Sequence, residues 1–257
     1  MKVTLIGTGK VAQSLAHALH SQQLLYGVHG RDILQTKRIL QDLPGAKTLD
    51  NLDFAKNPST VYLLAVSDRA IEIVAQQFDW PQAAIVAHTS GTTDLAALDS
   101  CPRGGVFYPL QSFAQDSKID WAQTPLLIEG GDSATEETLL QLAQQLSSKA
   151  QQADRETRQL LHVAAVFASN FTNRMLYAAG EILSESKLDL QVLESLVSQS
   201  VRNVFIHGPQ EALTGPAQRD DQSTIQHHLK LLAQNPSLQL LYQRLTDYIE
   251  YSKPQKR

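Results

Sequence analysis

The sequence is poor in cysteine, in metal-binding patterns and in long apolar runs. Cys101 is its only cysteine, so an intrachain disulfide is excluded, and a single thiol fits a reducing compartment. No apolar run approaches the roughly 18 residues that a membrane-spanning helix needs. Neither a His-Glu-x-x-His nor a Cys-x-x-Cys pattern occurs, so no metal site is predicted. Together these absences predict a cytoplasmic protein without a metal or a membrane partner.

Excess charge of one sign is also lacking. The net charge is −4, with 22 basic and 26 acidic residues, so no basic field for nucleic acid is expected. With 42% hydrophobic residues, the chain has the composition of an ordinary globular protein. Its 257 residues are enough for two domains of common size.

Short apolar runs alternate with amphipathic stretches over about the first half of the chain. The pattern predicts strands at residues 3–6, 25–29, 60–66, 84–88, 105–108 and 125–129, and helices at 10–22, 33–43, 69–78 and 135–149. Strands that alternate with helices are typical of an α/β fold with a doubly wound, mostly parallel sheet of Rossmann type.

From about residue 155 the strand signals stop and the pattern becomes helical. A single helix over residues 155–187 would be about 50 Å long at 1.5 Å per residue, too long for a crossover of the sheet. We therefore expect an NAD(P)-binding Rossmann domain at residues 1–152. An all-helical domain for substrate binding and dimerisation is expected at residues 153–257.

A glycine pattern follows the first predicted strand. Gly7, Gly9 and Ala12 form a Gly-x-Gly-x-x-Ala motif between a strand and a helix, the arrangement of a dinucleotide-binding loop. The alternative is a glycine-rich turn in another α/β fold. The expected cofactor-binding residues of this loop are Gly7, Thr8, Gly9, Lys10, Val11 and Ala12.

The end of the second predicted strand indicates which dinucleotide is bound. Enzymes that use NAD usually carry an acid there, whereas this chain has Gly30 and Arg31. The planar fork of Arg31 suits a 2′-phosphate, which favours NADP over NAD. The alternative is that Arg31 lies on the surface and that Asp32 only caps the next helix.

Three more cofactor-binding candidates follow the third and fourth strands. Val66 and Ser67 end one strand and His88 ends the next, at the sheet edge where a nicotinamide would lie. The alternative for Ser67 is that it and Asp68 are only helix caps, and His88 can equally be a structural hydrogen-bonding residue.

Polar residues recur within the apolar segment 161–173. At 100° per residue, His162, Ser169 and Asn173 share one helix face, with Asn170 nearby. On a buried helix these groups need partners, either a substrate and cofactor or a neighbouring helix. Histidine suits a general acid. Arg219, in the charged turn 214–221, either clamps a substrate carboxylate or forms a surface pair with an aspartate.

With both halves considered, the chain resembles a bacterial family assigned as NADP oxidoreductases, which join a Rossmann domain to a helical domain of unknown function. The resemblance rests on Gly7-Thr8-Gly9-Lys10-Val11-Ala12, on His88-Thr89-Ser90-Gly91, on segments 106–113 and 161–173, and on Thr214-Gly215-Pro216-Ala217-Gln218-Arg219. It implies an architecture similar to pyrroline-5-carboxylate reductase, 3-hydroxyacid dehydrogenases and deazaflavin-dependent NADP reductase. In those relatives the helical domain supplies part of the active site and commonly a dimer interface.

One position departs from the hydroxyacid dehydrogenases. If Asn170 is aligned with their catalytic asparagine, Val166 stands where their catalytic lysine belongs, so their proton-transfer mechanism does not carry over. The favoured hypothesis is a homodimeric NADP-dependent oxidoreductase that transfers hydride to or from a small carbonyl or imine bearing a carboxylate. His162 would donate the proton, Asn170 and Asn173 would orient the substrate, and Arg219 would hold its carboxylate. The alternative is a dinucleotide-binding sensor or scaffold without turnover.

Overall fold

The computed structural model describes residues 1–50, 58–114 and 118–253. It divides into two compact units, Met1–Asn170 and Phe171–Arg257. Among the described residues, no helix is both long enough and apolar enough to cross a membrane.

The first unit is built on one sheet. Within the described residues its strands are β1 (Val3–Ile6), β2 (Leu25–His29), β3 (Lys47–Leu49), β4 (Val61–Leu64), β5 (Ile85–His88), β6 (Gly104–Pro109), β7 (Leu126–Gly130) and β8 (Ala150–Gln152). Their order is β3-β2-β1-β4-β5-β6-β7-β8, and the β6–β7 pair is antiparallel while the other pairs are parallel. The first six positions have the order of a doubly wound Rossmann sheet, which confirms the expected fold class.

Helices pack against this sheet in the first unit and make up the second. They are α1 (Lys10–Ser21), α2 (Ile33–Leu40), α3 (Ile71–Gln76), α4 (Ser133–Gln144), α5 (Arg155–Ala165), α6 (Thr172–Ser184), α7 (Glu194–His207), α8 (Gln222–Leu231) and α9 (Pro236–Ser252). Helix α1 shows how the sequence sets the packing: Ala12, Leu15, Ala16 and Leu19 follow helical spacing and are all buried.

The central strands are apolar without alternation because both of their faces are covered. Every residue of β1, β4 and β5 is buried, as expected for parallel strands between two layers of helices. The six predicted strands are present, with ends that differ by no more than two residues. Strands β3 and β8 were not predicted, because each has only three residues and a mostly polar sequence at an edge of the sheet.

Residues 155–184 are helical, as predicted, but they do not form one regular α-helix, and the helical residues end three positions before the predicted end. Helix α5 ends at Ala165, a π-helical segment runs from Val166 to Phe171, and α6 ends at Ser184. The structural division also falls later than the expected boundary after residue 152, because α5 packs with the first unit. The functional boundary between the two domains stays a prediction.

Candidate functional site

The turn after β1 requires glycine at its first position. Gly7 has φ +126°, and a Cβ there would lie 2.2 Å from the carbonyl oxygen of Ala65. Gly9 is the N-cap of α1, and no side chain caps the first amides of that helix. A Cβ on Gly9 would meet nothing within 4 Å. Uncapped amides beside open space form an anion-binding helix end.

This turn opens on a cleft of about 1160 Å³. The cleft lies at the carboxyl ends of β1, β2 and β4, where the order of the sheet reverses and such folds bind dinucleotides. Nine of the eleven expected cofactor-binding residues line it: Gly7, Thr8, Gly9, Lys10, Val11, Gly30, Arg31, Val66 and Ser67. The other two do not, because Ala12 and His88 are wholly buried.

The wall at the end of β2 is shaped by Gly30. A Cβ on Gly30 would lie 2.4 Å from Cγ2 of Thr8 and 2.9 Å from Oγ1 of Thr36, so the chain there packs tightly on the glycine turn. Asp32 accepts hydrogen bonds from the amides of Leu34 and Gln35 and caps α2. Arg31 and Asp32 are both exposed and both line the cleft. The Asp32 carboxylate is engaged in a helix cap, whereas Arg31 and the other charged residues that line the cleft are basic.

Further residues that line the cleft were missed in the sequence. Arg69 and Ile73 line it beyond β4, together with Phe78, whose ring makes an edge contact with His29 at 5.8 Å between centroids. No local motif marks these positions. These residues line the cleft because they lie in the crossover between β4 and β5, which faces the end of β2.

His88 ends β5 beneath the same sheet edge. Its Nδ1 accepts a hydrogen bond from the Ser90 amide at 3.2 Å, so the proton of the neutral ring is on Nε2. Burial first, and then the charge of Arg158, lower the pKa of His88 from 6.5 to about 4. The structure thus gives His88 a neutral, buried position. Its role in cofactor binding stays a prediction.

The loop that follows β5 is fixed by hydrogen bonds. Oγ of Ser90 accepts from the amides of Thr92 and Thr93, at 3.1 and 3.0 Å. Oγ1 of Thr92 donates to the Asp68 carboxylate at 3.0 Å, which ties this loop to the one after β4. The carboxyl edge beside the cleft is therefore an ordered surface.

Arg158 of α5 holds the loop from the other side, a contact that the sequence gave no sign of. Its side chain is 0% exposed, and Nη2 donates to Glu129 Oε2 at 2.8 Å. Nη1 donates to the carbonyl oxygens of Gly91 and Thr93, at 3.2 and 2.9 Å. Arg155, one turn earlier, pairs with Asp94 at 2.5 Å. These contacts place α5 on the carboxyl edge of the sheet.

His162 lies one turn farther along α5. Its Nδ1 is 3.0 Å from the Tyr108 hydroxyl, where β6 extends beyond the end of β5. The sequence-predicted proton donor is thus held at the sheet edge where the loop after β5 begins.

The other predicted catalytic residues are exposed. Asn170 lies in the π-helical segment, and Asn173 in α6 accepts two hydrogen bonds from Arg174. Arg219 lies in the second unit, two residues before Asp221, which caps α8 by accepting from the Thr224 amide. The expectation that the polar stripe belongs to a buried helix is wrong. The predicted shared face is also wrong, because it assumed 100° per residue, and the π-helical segment changes this angle between His162 and Asn173.

Within the described residues, no group of three or more His, Cys, Asp or Glu side chains is arranged to hold a metal ion.

Comparison with known proteins assigns the chain to a family. Residues 124–249 match a family described as a domain of unknown function, DUF2520. The solved structure of BF3122 from Bacteroides fragilis, an NADP oxidoreductase by assignment, is 32% identical, with a TM-score of 0.88 over 97% of this chain and 98% of that one. None of the curated proteins matches.

More distant solved structures share the fold. A reductive aminase from Aspergillus terreus, in complex with NADPH and ethyl-5-oxohexanoate, is 13% identical, with a TM-score of 0.67 over 96% of this chain and 92% of that one. The 1-pyrroline-5-carboxylate reductase of Streptococcus pyogenes is 12% identical, with a TM-score of 0.65 over 98% of both chains. The match to DUF2520 and the 32% identity to BF3122 show that the chain belongs to the family assigned as NADP oxidoreductases, in which a Rossmann domain is joined to a DUF2520 domain.

Proposed function

We propose that this protein is an NADP-dependent oxidoreductase that transfers hydride to or from a small carbonyl or imine substrate bearing a carboxylate. The observation that carries the proposal is the cleft at the switch point of the sheet. There the uncapped start of α1 and Arg31 lie on one continuous surface.

The residues of the cleft fit a dinucleotide phosphate. The free amides at the start of α1 would hold the pyrophosphate, and the lack of a Cβ on Gly9 allows its close approach. Arg31 would pair with a 2′-phosphate through two parallel hydrogen bonds. When bound, NADP supplies or accepts the hydride. The NADP and NADPH ligands of the reductases that share this fold support the same choice.

Reduction of a carbonyl or imine also requires a proton on the oxygen or nitrogen. We assign its donation to His162, because it lies on α5 at the carboxyl edge of the sheet and its ring is held by Tyr108. Asn170 and Asn173 are proposed to orient the substrate, and Arg219 to hold its carboxylate by a bidentate contact. Val66, Ser67 and His88 are proposed to lie toward the nicotinamide.

The experiment is an NADPH oxidation assay with 2-oxo acids and carboxylated cyclic imines, each beside its uncharged ester or amide. We expect turnover with at least one member and a preference for the carboxylated form. The variant His162→Gln should lose about 100-fold or more in kcat while binding NADPH as before. His17→Gln, an exposed histidine of α1, is the control. Normal turnover by His162→Gln would contradict the assignment, and no oxidation with any substrate would contradict the reaction class.

We also propose that the protein is a homodimer. Large apolar side chains are exposed at 64% for Phe167 in the π-helical segment and at 86% for Phe205 in α7. Apolar surface of this kind commonly marks an interface between copies. Sedimentation at micromolar concentration should show a dimer, and Phe205→Glu should weaken it more than Leu34→Glu, an exposed apolar residue of α2. A monomeric wild-type protein would overturn the proposal.

A further inference from the structure

The ring of His162 is held through one of its two nitrogens. Oη of Tyr108 lies 3.0 Å from His162 Nδ1, and the two rings are tilted by 52°. Both residues belong to the first compact unit. Tyr108 is 8% exposed, so its side chain is largely removed from water.

The direction of this hydrogen bond follows from the burial of the phenol. Burial raises the pKa of Tyr108, so the hydroxyl keeps its proton at neutral pH. A buried hydroxyl needs an acceptor for that proton, and His162 Nδ1 is within hydrogen-bond distance. The neutral imidazole therefore accepts at Nδ1, and its own proton is on Nε2, at the opposite edge of the ring.

Gly91 encloses the hydrogen bond from the third side. A Cβ on Gly91 would lie 2.7 Å from His162 Nδ1 and 2.7 Å from Cζ of Tyr108. The backbone at this point does not adjust freely, because the carbonyl oxygens of Gly91 and Thr93 accept hydrogen bonds from buried Arg158. The two rings therefore pack against the backbone of Gly91, which is held in place and has no side chain.

We propose that Tyr108 is a positioning residue, which fixes His162 as the tautomer protonated on Nε2 and so presents that N–H as the proton donor. Arg158 and Gly91 support the arrangement by fixing the backbone against which both rings pack. The use of the Nε2 proton in a reaction rests on the proposed function. The tautomer itself does not, so it is tested without a substrate.

The test is two-bond ¹H–¹⁵N NMR of the protein labelled in its histidine rings. Spectra are recorded at about pH 8.5, where an ordinary imidazole with a pKa of about 6.5 is neutral. His162→Gln identifies the signals of His162. In the wild type we expect Nδ1 to have the shift of an unprotonated nitrogen and Nε2 that of a protonated one. In Tyr108→Phe we expect both shifts to move toward the average of the two tautomers.

Tyr62→Phe is the matched control, because it removes a buried hydroxyl of β4 that accepts from the Ser59 amide. It should leave the His162 signals unchanged. If Tyr108→Phe does not fold, Gly91→Ala replaces it, since the added Cβ forces the two rings apart, and the same averaging is expected. A His162 protonated on Nδ1 in the wild type would overturn the proposal, as would unchanged signals in the folded variant. An inactive protein with the expected signals would contradict only the proposed function.

Discussion

The guanidinium of Arg158 lies 2.8 Å from the carboxylate of Glu129, with the arginine side chain wholly buried. The same group donates to the carbonyl oxygens of Gly91 and Thr93. The guanidinium of Arg158, which belongs to α5, therefore connects that helix to β7 and to the loop after β5. Its position explains why α5, which the sequence placed with the helical half, packs with the Rossmann unit.

Loss of this charge should destabilise the protein strongly. We expect Arg158→Ala to lower the free energy of unfolding by about 3–5 kcal/mol, because it leaves the Glu129 carboxylate and the loop carbonyls without their partner. Arg155→Ala is the control on the same helix, since Arg155 and Asp94 are 57% and 40% exposed and such a pair contributes at most about 1 kcal/mol. Urea denaturation measures both values. Equal losses for the two variants would show that Arg158 does not hold the unit together.

A substitution at Gly9 should impair cofactor binding without affecting the stability of the fold. Its φ of −72° suits any residue, and a Cβ would meet nothing within 4 Å, so Gly9→Ala should melt at the temperature of the wild type. The added methyl group should nevertheless block the approach of the pyrophosphate and remove the stabilisation by NADPH. Thermal melts with and without NADPH measure both effects. Gly180→Ala, in open space on α6, should keep the NADPH response. Normal stabilisation of Gly9→Ala would place the phosphates elsewhere.

Arg31 should determine the choice between the two dinucleotides. A charge-assisted hydrogen bond contributes about 1.5–3 kcal/mol, so Arg31→Ala should weaken NADPH binding about 10-fold to 100-fold and leave NADH binding nearly unchanged. Lys37→Ala is the control, because Lys37 is also an exposed basic residue but lines neither the cleft nor the cavity beside it. Fluorescence titration with each dinucleotide gives the constants. Equal losses of affinity for NADPH and NADH would mean that Arg31 does not bind the 2′-phosphate.

The buried His88 predicts a dependence of stability on pH. Its pKa is about 4 when folded and 6.5 when exposed, so between these values the unfolded chain binds more protons and stability falls as the pH falls. The full contribution is present above pH 6.5, and about 2 kcal/mol of it should be lost between pH 7 and pH 5. Urea denaturation at both pH values should show this loss in the wild type and in His17→Asn, but not in His88→Asn. An equal loss in His88→Asn would refute the assignment.

The fold and the cofactor turn could be predicted because their signals are local. The apolar runs of β1, β4 and β5 are continuous in the sequence, and the glycine turn lies within six residues, so period and spacing are enough to identify them. The short edge strands β3 and β8 carry no such pattern. The π-helical segment was also missed, because a rotation of 100° per residue holds only for the regular α-helix that this segment interrupts.

The surroundings of His162 could not be predicted from the sequence. Tyr108, Gly91 and Arg158 are far apart along the chain and meet only because β5 and β6 end at the edge of the sheet on which α5 packs. The sequence pattern does not show that an arginine is buried. In the sequence, Arg158 resembles the other charged residues of an amphipathic helix. The roles of Asn170, Asn173 and Arg219 stay predictions.

Parallel thermal titrations with NADPH and NADH test most directly whether the cleft beside Gly7 and Arg31 binds NADP. A ligand at one hundred times its dissociation constant adds about 2.7 kcal/mol to the free energy of unfolding, which raises the melting temperature by several degrees. We predict that NADPH reaches this stabilisation at a concentration at least about tenfold lower than NADH, because only NADPH has a 2′-phosphate with which Arg31 can pair. No shift with either dinucleotide would contradict NADP binding at this cleft.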